Sequence, residues 1–169
     1  MISRPQPNEY PAYAAVYVSH VGEGPILEIL KQEQQNTYDF FMGLGADKEN
    51  YAYAEGKWTV KEVLGHMVDT ERVFVYRALA FSRESIELPG FDQDVYLAHS
   101  TYNTRTLEDI ANEFKAVRES SLYLFASITD EQSTQKGIAS GNPVSVRALA
   151  YLTAGHALHH IKILKEKYL

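Results

Sequence analysis

Apolar residues recur three and four positions apart in four separate stretches of this chain, and a chain patterned in that way buries its stripes by packing helix against helix. The cleanest stretch holds Leu107, Ile110, Phe114, Val117, Ser121, Leu124 and Ile128, a bundle seam that begins just after Thr106. Another starts at Pro25, which suits the first helical position. It carries Ile26, Ile29, Leu30, Thr37, Phe40 and Leu44 and stops near Gly43 and Gly45. A third opens with Thr59-Val60-Lys61-Glu62, the capping-box pattern in which a threonine caps and the glutamate three residues on reaches back. Its stripe is Val63, His66, Thr70, Val73, Phe74, Arg77 and Phe81, ending near Ser82. The last follows the break at Gly137, Gly141, Asn142 and Pro143, is capped by Ser145, and runs to about Tyr168.

These stretches predict an all-α, four-helix bundle with a single domain over residues 1–169. Residues 1–24, with Pro5, Pro7, Pro11, Gly22 and Gly24, are expected to form an extended arm anchored by its tyrosines. A long loop from Glu84 to Arg105 joins the second and third helices. A short helix is expected in it near 92–98, with Asp92 and Asp94 read as capping residues rather than as the mouth of a pocket. No strand-like alternation stands out.

Composition narrows the function. The net charge of -6 argues against nucleic acid or an anionic membrane as partner. The absence of cysteine excludes disulfides, thiolate nucleophiles and cysteine-based zinc sites, so any thiol chemistry must use a substrate's sulfur. No stretch approaches the roughly 20 apolar residues of a membrane span, and residues 1–17 do not read as a leader, so a cytoplasmic protein is expected.

Three of the six histidines fall within five residues, in Gly155-His156-Ala157-Leu158-His159-His160. Residues four apart on a helix stand one above the other, so His156 and His160 can chelate one ion. The stripe of Leu149, Leu152, Ile163 and Leu164 centres near His156. At 100° per residue, His160 lies about 40° to one side of it and His159 about 60° to the other. His156 and His160 therefore turn inward and His159 stays at the edge. His66 lies on the apolar stripe of its own helix and supplies a third ligand from a facing helix. Three imidazoles suit a divalent transition metal, zinc or nickel first, with iron, cobalt or manganese possible, and three protein ligands leave one position open. A single inward histidine is more often a hydrogen-bonded core residue, and a pair four apart arises by chance in many helices.

The residues around these histidines resemble the DinB/YfiT-like superfamily. Gly56-Lys57-Trp58-Thr59-Val60-Lys61-Glu62-Val63-Leu64-Gly65-His66-Met67-Val68-Asp69-Thr70-Glu71-Arg72 looks like its second-helix motif. Leu88-Pro89-Gly90-Phe91-Asp92 and Ala154-Gly155-His156-Ala157-Leu158-His159-His160 look like the loop and the last helix of one branch. The resemblance runs from about Ile26 to the end. It implies a bundle holding a divalent metal through His66, His156 and His160, the set chosen by helical face. Some members of the superfamily transfer a low-molecular-weight thiol such as bacillithiol, mycothiol or glutathione, some act as thiol-dependent isomerases, and others carry only the description of metal-dependent hydrolases.

The expected function is transfer of a low-molecular-weight thiol to an electrophilic small molecule. The alternatives are hydrolysis by a metal-bound water, or metal binding without turnover. Hydrolysis needs a carboxylate base, for which Asp69, one turn after His66, and Glu33, within the first stripe, are the choices. Their plainer readings are a bond to a histidine and a boundary residue. Arg77 on the core stripe can receive a substrate carboxylate, or pair with a core carboxylate, or reach out to solvent. Trp58 reads as a packing staple, and His20 and His99 as surface or loop residues. An exposed bundle face suggests a homodimer.

Overall fold

The computed structural model describes residues 2–169. Short 3₁₀ turns at Pro7–Glu9 and Ala12–Ala14 lead into helix α1, Ala15–His20. The expected extended arm is thus corrected: within it Ala15–His20 is helical. The alanines and the regular packing of α1 along the C-terminal helix favour a helix where prolines alone suggested an extended strap. The arm is held by Arg4, whose guanidinium donates to the carbonyls of Val18, Val21 and Gly22, and by a Glu9–Arg147 ion pair.

The four long helices follow the sequence closely. They are α2 (Ile26–Met42), α3 (Val60–Phe81), then, after the short α4 (Gln93–Ala98), α5 (Leu107–Ser127) and, after α6 (Asp130–Thr134), α7 (Val146–Lys167). Thr59 and Glu62 form the capping box of α3, while Thr106 and Ser145 accept from the third residue of α5 and α7. Asp92 caps α4 through its side chain.

Each of α5 and α7 packs against both α2 and α3, so α2 and α3, consecutive long helices, lie on a diagonal. The interior holds two apolar clusters. One gathers Ile26 and Leu30 of α2, Phe81 of α3, Phe125 of α5 and Val146–Ala154 of α7. The other gathers Phe41, Val60–Val68, Leu107–Phe114 and Leu164. Hence α2 and α7 run one way and α3 and α5 the other. Because α3 and α5 are parallel, the segment between them must return along the whole bundle. This explains the long loop: Leu88 is buried at one end, Leu97 and Tyr102 at the other.

Between the clusters lies a belt of buried polar side chains: Glu33 and Thr37 on α2, His66, Thr70 and Glu71 on α3, Arg118 and Ser121 on α5, Thr153 and His156 on α7. Arg118, fully buried, donates from Nε and Nη2 to the two oxygens of Glu71 at 2.8 Å each, and from Nη1 to the Leu30 carbonyl. Ser121 adds a bond to Glu71 at 2.8 Å.

A small three-stranded sheet, unforeseen in the sequence, sits beside the end of α3. Strand β1 (Glu87–Leu88) pairs in parallel with β2 (Lys136–Ala139), which pairs antiparallel with β3 (Asn142–Ser145). Its strands of two to four residues are too short to show alternation. Among the described residues, no helix is long and apolar enough to cross a membrane.

Candidate metal centre

His66 projects from the first third of α3 and His156 and His160 from successive turns of α7, the helix packed antiparallel to it. The Nε2 atoms of His66 and His160 each lie 3.0 Å from Nε2 of His156, and the three fall within 4.8 Å of one another. Imidazole nitrogens about 2.0–2.1 Å from a common ion sit roughly 3.0–3.4 Å apart when adjacent in tetrahedral or octahedral geometry, so the spacing fits a metal. The donors are also in the right protonation state. Burial drives His66 down to about 4 and His160 down to about 3, the latter helped by His66 and His159. Burial above all, with the neighbouring histidines, holds His156 well below the usual imidazole range. All three are neutral at pH 7. The Thr70 hydroxyl stands 3.4 Å from His66 Nδ1. With the proton on Nδ1 facing Thr70, His66 turns a lone pair toward the centre.

Aromatic rings enclose the triad. Trp58 stacks obliquely on His66 at 4.8 Å between centroids, while Tyr17 and Phe74 meet the His156 ring edge-on at 5.6 and 5.9 Å. On the His160 side a cavity of about 370 Å³ opens to solvent, lined by Tyr53, Lys57, Trp58, Asp94, His160 and Tyr168 among others. The Tyr168 hydroxyl donates to the Trp58 carbonyl at 2.8 Å and fixes the loop that carries the indole.

The other sequence candidates do not join the triad. Asp69, considered for a bond to a histidine, instead accepts from the Tyr102 hydroxyl at 2.7 Å and lies 3.9 Å from Arg72. Residue 69 is one turn from His66 but on a flank of α3, where Tyr102 meets it. Glu33 is no boundary residue. It is 6% exposed, 3.6 Å from Arg118 Nη1, and neither carboxylate oxygen has a hydrogen bond. Arg118 is already engaged by Glu71, so Glu33 shares one cation with another carboxylate. Desolvation raises its pKa to about 8. Arg77 neither reaches solvent nor meets a carboxylate; it donates to Pro89 O and Ser140 Oγ.

Three further corrections concern residues given minor roles. Trp58 is a wall of the site as well as a staple: it lies in the segment that leads into α3, its carbonyl held by the Tyr168 hydroxyl and its ring on His66. His20 is not free in a loop: it ends α1, stacks on His159, and its Nε2 lies 3.4 Å from His159 Nδ1. Asp94 lines the cavity mouth. His99 remains at the surface as expected, tied to the Val95 carbonyl.

The sequence profile of the DinB superfamily matches residues 29–164. Among solved structures the fold matches that of YfiT from Bacillus subtilis, described as a probable metal-dependent hydrolase with an unusual four-helix bundle topology. The TM-score is 0.72 at 15% identity, over 97% of this chain and 90% of that one. The likeness to YfiT is one of fold. No protein of curated function matches the chain significantly in sequence.

Proposed function

The chain belongs to the DinB superfamily, and from that premise we propose that it is a divalent-metal-dependent enzyme of the cytoplasm. In this reading His66, His156 and His160 hold the metal, zinc or nickel first, and a low-molecular-weight thiol is transferred to an electrophilic small molecule. The observation that carries it is the convergence of three neutral Nε2 atoms with no carboxylate in the group they form. A divalent ion there favours the thiolate form of a bound thiol, the form that is nucleophilic.

The chain's own groups then have plain tasks. The neutral imidazoles offer lone pairs without first shedding protons. Thr70 orients His66. Tyr17 and Phe74 exclude water from the buried side, while the cavity at His160, walled in part by Trp58, admits the reactants. Thiol transfer does not require a base fixed beside the centre, and Asp69 and Glu33, the two carboxylates considered for that task, are engaged elsewhere. Hydrolysis of a small molecule is the second reading, favoured by the description of YfiT.

Elemental analysis of the purified, untagged protein tests the centre. About one zinc or nickel per chain is expected, lost in the double variant His156→Ala/His160→Ala with helix content nearly intact. Stoichiometric metal retained by that variant would refute the ligand set. Thiol consumption with a panel of electrophiles then separates the readings. Turnover by the loaded wild type and not by the double variant supports transfer; ester or amide cleavage without thiol supports hydrolysis.

A further inference from the structure

His20 and His159 form a further pair of imidazoles outside the triad. His20 is the last residue of α1, and His159 lies on α7, against which α1 packs. Nε2 of His20 stands 3.4 Å from Nδ1 of His159, and the ring centroids lie 5.6 Å apart with the planes inclined at 28°. Among the described residues neither ring has another hydrogen bond. Both residues are half-buried, so water reaches the pair.

Two imidazole nitrogens that face each other are held by a shared proton or by a shared cation. A hydrogen bond from an N–H usually spans about 2.7–3.2 Å, and 3.4 Å is long for one. Imidazole nitrogens about 2.0–2.1 Å from one ion stand roughly 3.0–3.4 Å apart, and the pair falls at the upper end of that spacing. The tautomers are compatible with an ion. His159 turns Nδ1 to its partner and keeps its proton on Nε2, His20 the reverse, and either ring nitrogen can serve as a metal donor. The charged groups that act on His159 from α7 are Lys162 and Glu166. They stand 3.9 Å apart, so their charges offset each other.

His159 and His160 are adjacent, so their side chains leave α7 about 100° apart. His160 faces the triad and His159 faces the arm. Tyr17 lies three residues before His20, on the same face of α1. Its ring meets both His156 and His159 edge-on, at 5.6 and 5.1 Å. An ion held by His20 and His159 therefore ties α1 to α7 beside the ring that shields His156.

We propose that His20 and His159 form a second divalent-metal site, separate from the triad, that staples the N-terminal arm to α7. Imidazole donors select zinc, nickel or copper over magnesium and calcium. No third histidine or carboxylate joins the pair among the described residues, so this is the weaker of the two sites and water fills its other positions. The site does not depend on the chemistry that the triad performs.

The test titrates zinc into chelated protein and follows the heat of binding, with the imidazole nitrogen resonances of His20 and His159 as local reporters. Wild type is expected to take up about two equivalents, the second bound at least about tenfold more weakly than the first. The His20 resonance should move only with the second. His20→Gln should keep the tight equivalent and lose the weak one, while His66→Ala/His160→Ala should do the opposite. Magnesium should produce neither. In His66→Ala/His160→Ala, zinc should also slow proteolysis ahead of residue 20, and adding His20→Gln should abolish that protection. Saturation at one equivalent with an unmoved His20 resonance would overturn the site, as would a weak equivalent kept by His20→Gln. Zinc bound at His20 without protection of the arm would overturn the staple. If a variant fails to fold, the wild-type His20 resonance decides, because zinc at the triad alone leaves it in place. A His20 response in protein whose triad takes up no metal keeps this site and removes the metal reading of the triad.

Discussion

The backbones of Tyr17 and Gly155 are in direct contact: a β-carbon placed on residue 155 would lie 2.0 Å from the Tyr17 carbonyl oxygen. That contact seats α1 on α7 one residue before His156 and brings the Tyr17 ring onto the imidazole. Gly155→Ala should therefore lift the arm. The expected cost is about 1–3 kcal/mol, as for overpacking elsewhere in a core, with faster proteolysis ahead of residue 20. Unchanged stability and proteolysis would show that the arm yields without loss.

Glu33 predicts a pH trend that a substitution removes. Its folded pKa of about 8 lies above the ordinary 4.5, so the folded state holds a proton that the unfolded state releases. The stability this gives is whole below about pH 4.5 and is lost as pH rises through about 8. Glu33→Gln should match wild type in mild acid and exceed it at pH 8.5 by roughly a few kcal/mol. Parallel stability curves for the two proteins from pH 5 to 8.5 would contradict the buried, under-paired carboxyl.

The histidines tilt the metal-free protein the other way. Their folded pKa values fall below the ordinary 6.5, to about 4 for His66 and about 3 for His160. The unfolded state thus gains protons first, and stability complete above about pH 6.5 is lost as pH falls toward 4. Denaturant titrations of chelated protein in the Glu33→Gln background isolate this slope. His66→Ala should flatten it.

Arg118 neutralises the buried Glu71 carboxylate and stands 3.6 Å from Glu33, so Arg118→Met should destabilise the fold by about 3–5 kcal/mol, the usual effect of leaving a buried charge uncompensated. Adding Glu71→Gln and Glu33→Gln to it should restore much of that loss in chemical denaturation. A triple variant no better than Arg118→Met would mean that packing, not charge, sets the effect.

The bundle and the triad were legible in the sequence for definite reasons. Thr59, Thr106 and Ser145 are capping signals next to strong periodicity, and each proved to be the cap. His156, His160 and His66 could be placed by helical face because that face is a local property. What could not be read depends on contacts distant in sequence. Tyr17 reaches His156 only because α1 packs on α7, and Glu33 is buried beside Arg118, 85 residues later in the chain. Arg77 carried three readings, two of which fail because the partners it does have, Pro89 and Ser140, lie in a loop and in a sheet too short for any pattern to announce.

The polar belt across the middle of the bundle divides the hydrophobic interior into two compartments with separate apolar cohesion. Each compartment is then expected to open on its own, and native-state hydrogen exchange should find the amide protons of α7 near Thr153 and His156 at the seam between two exchange units rather than at the slowest-exchanging heart of one. A ligand bridging α3 and α7 at this waist would act as a rivet, joining two weakly coupled halves into one cooperative body.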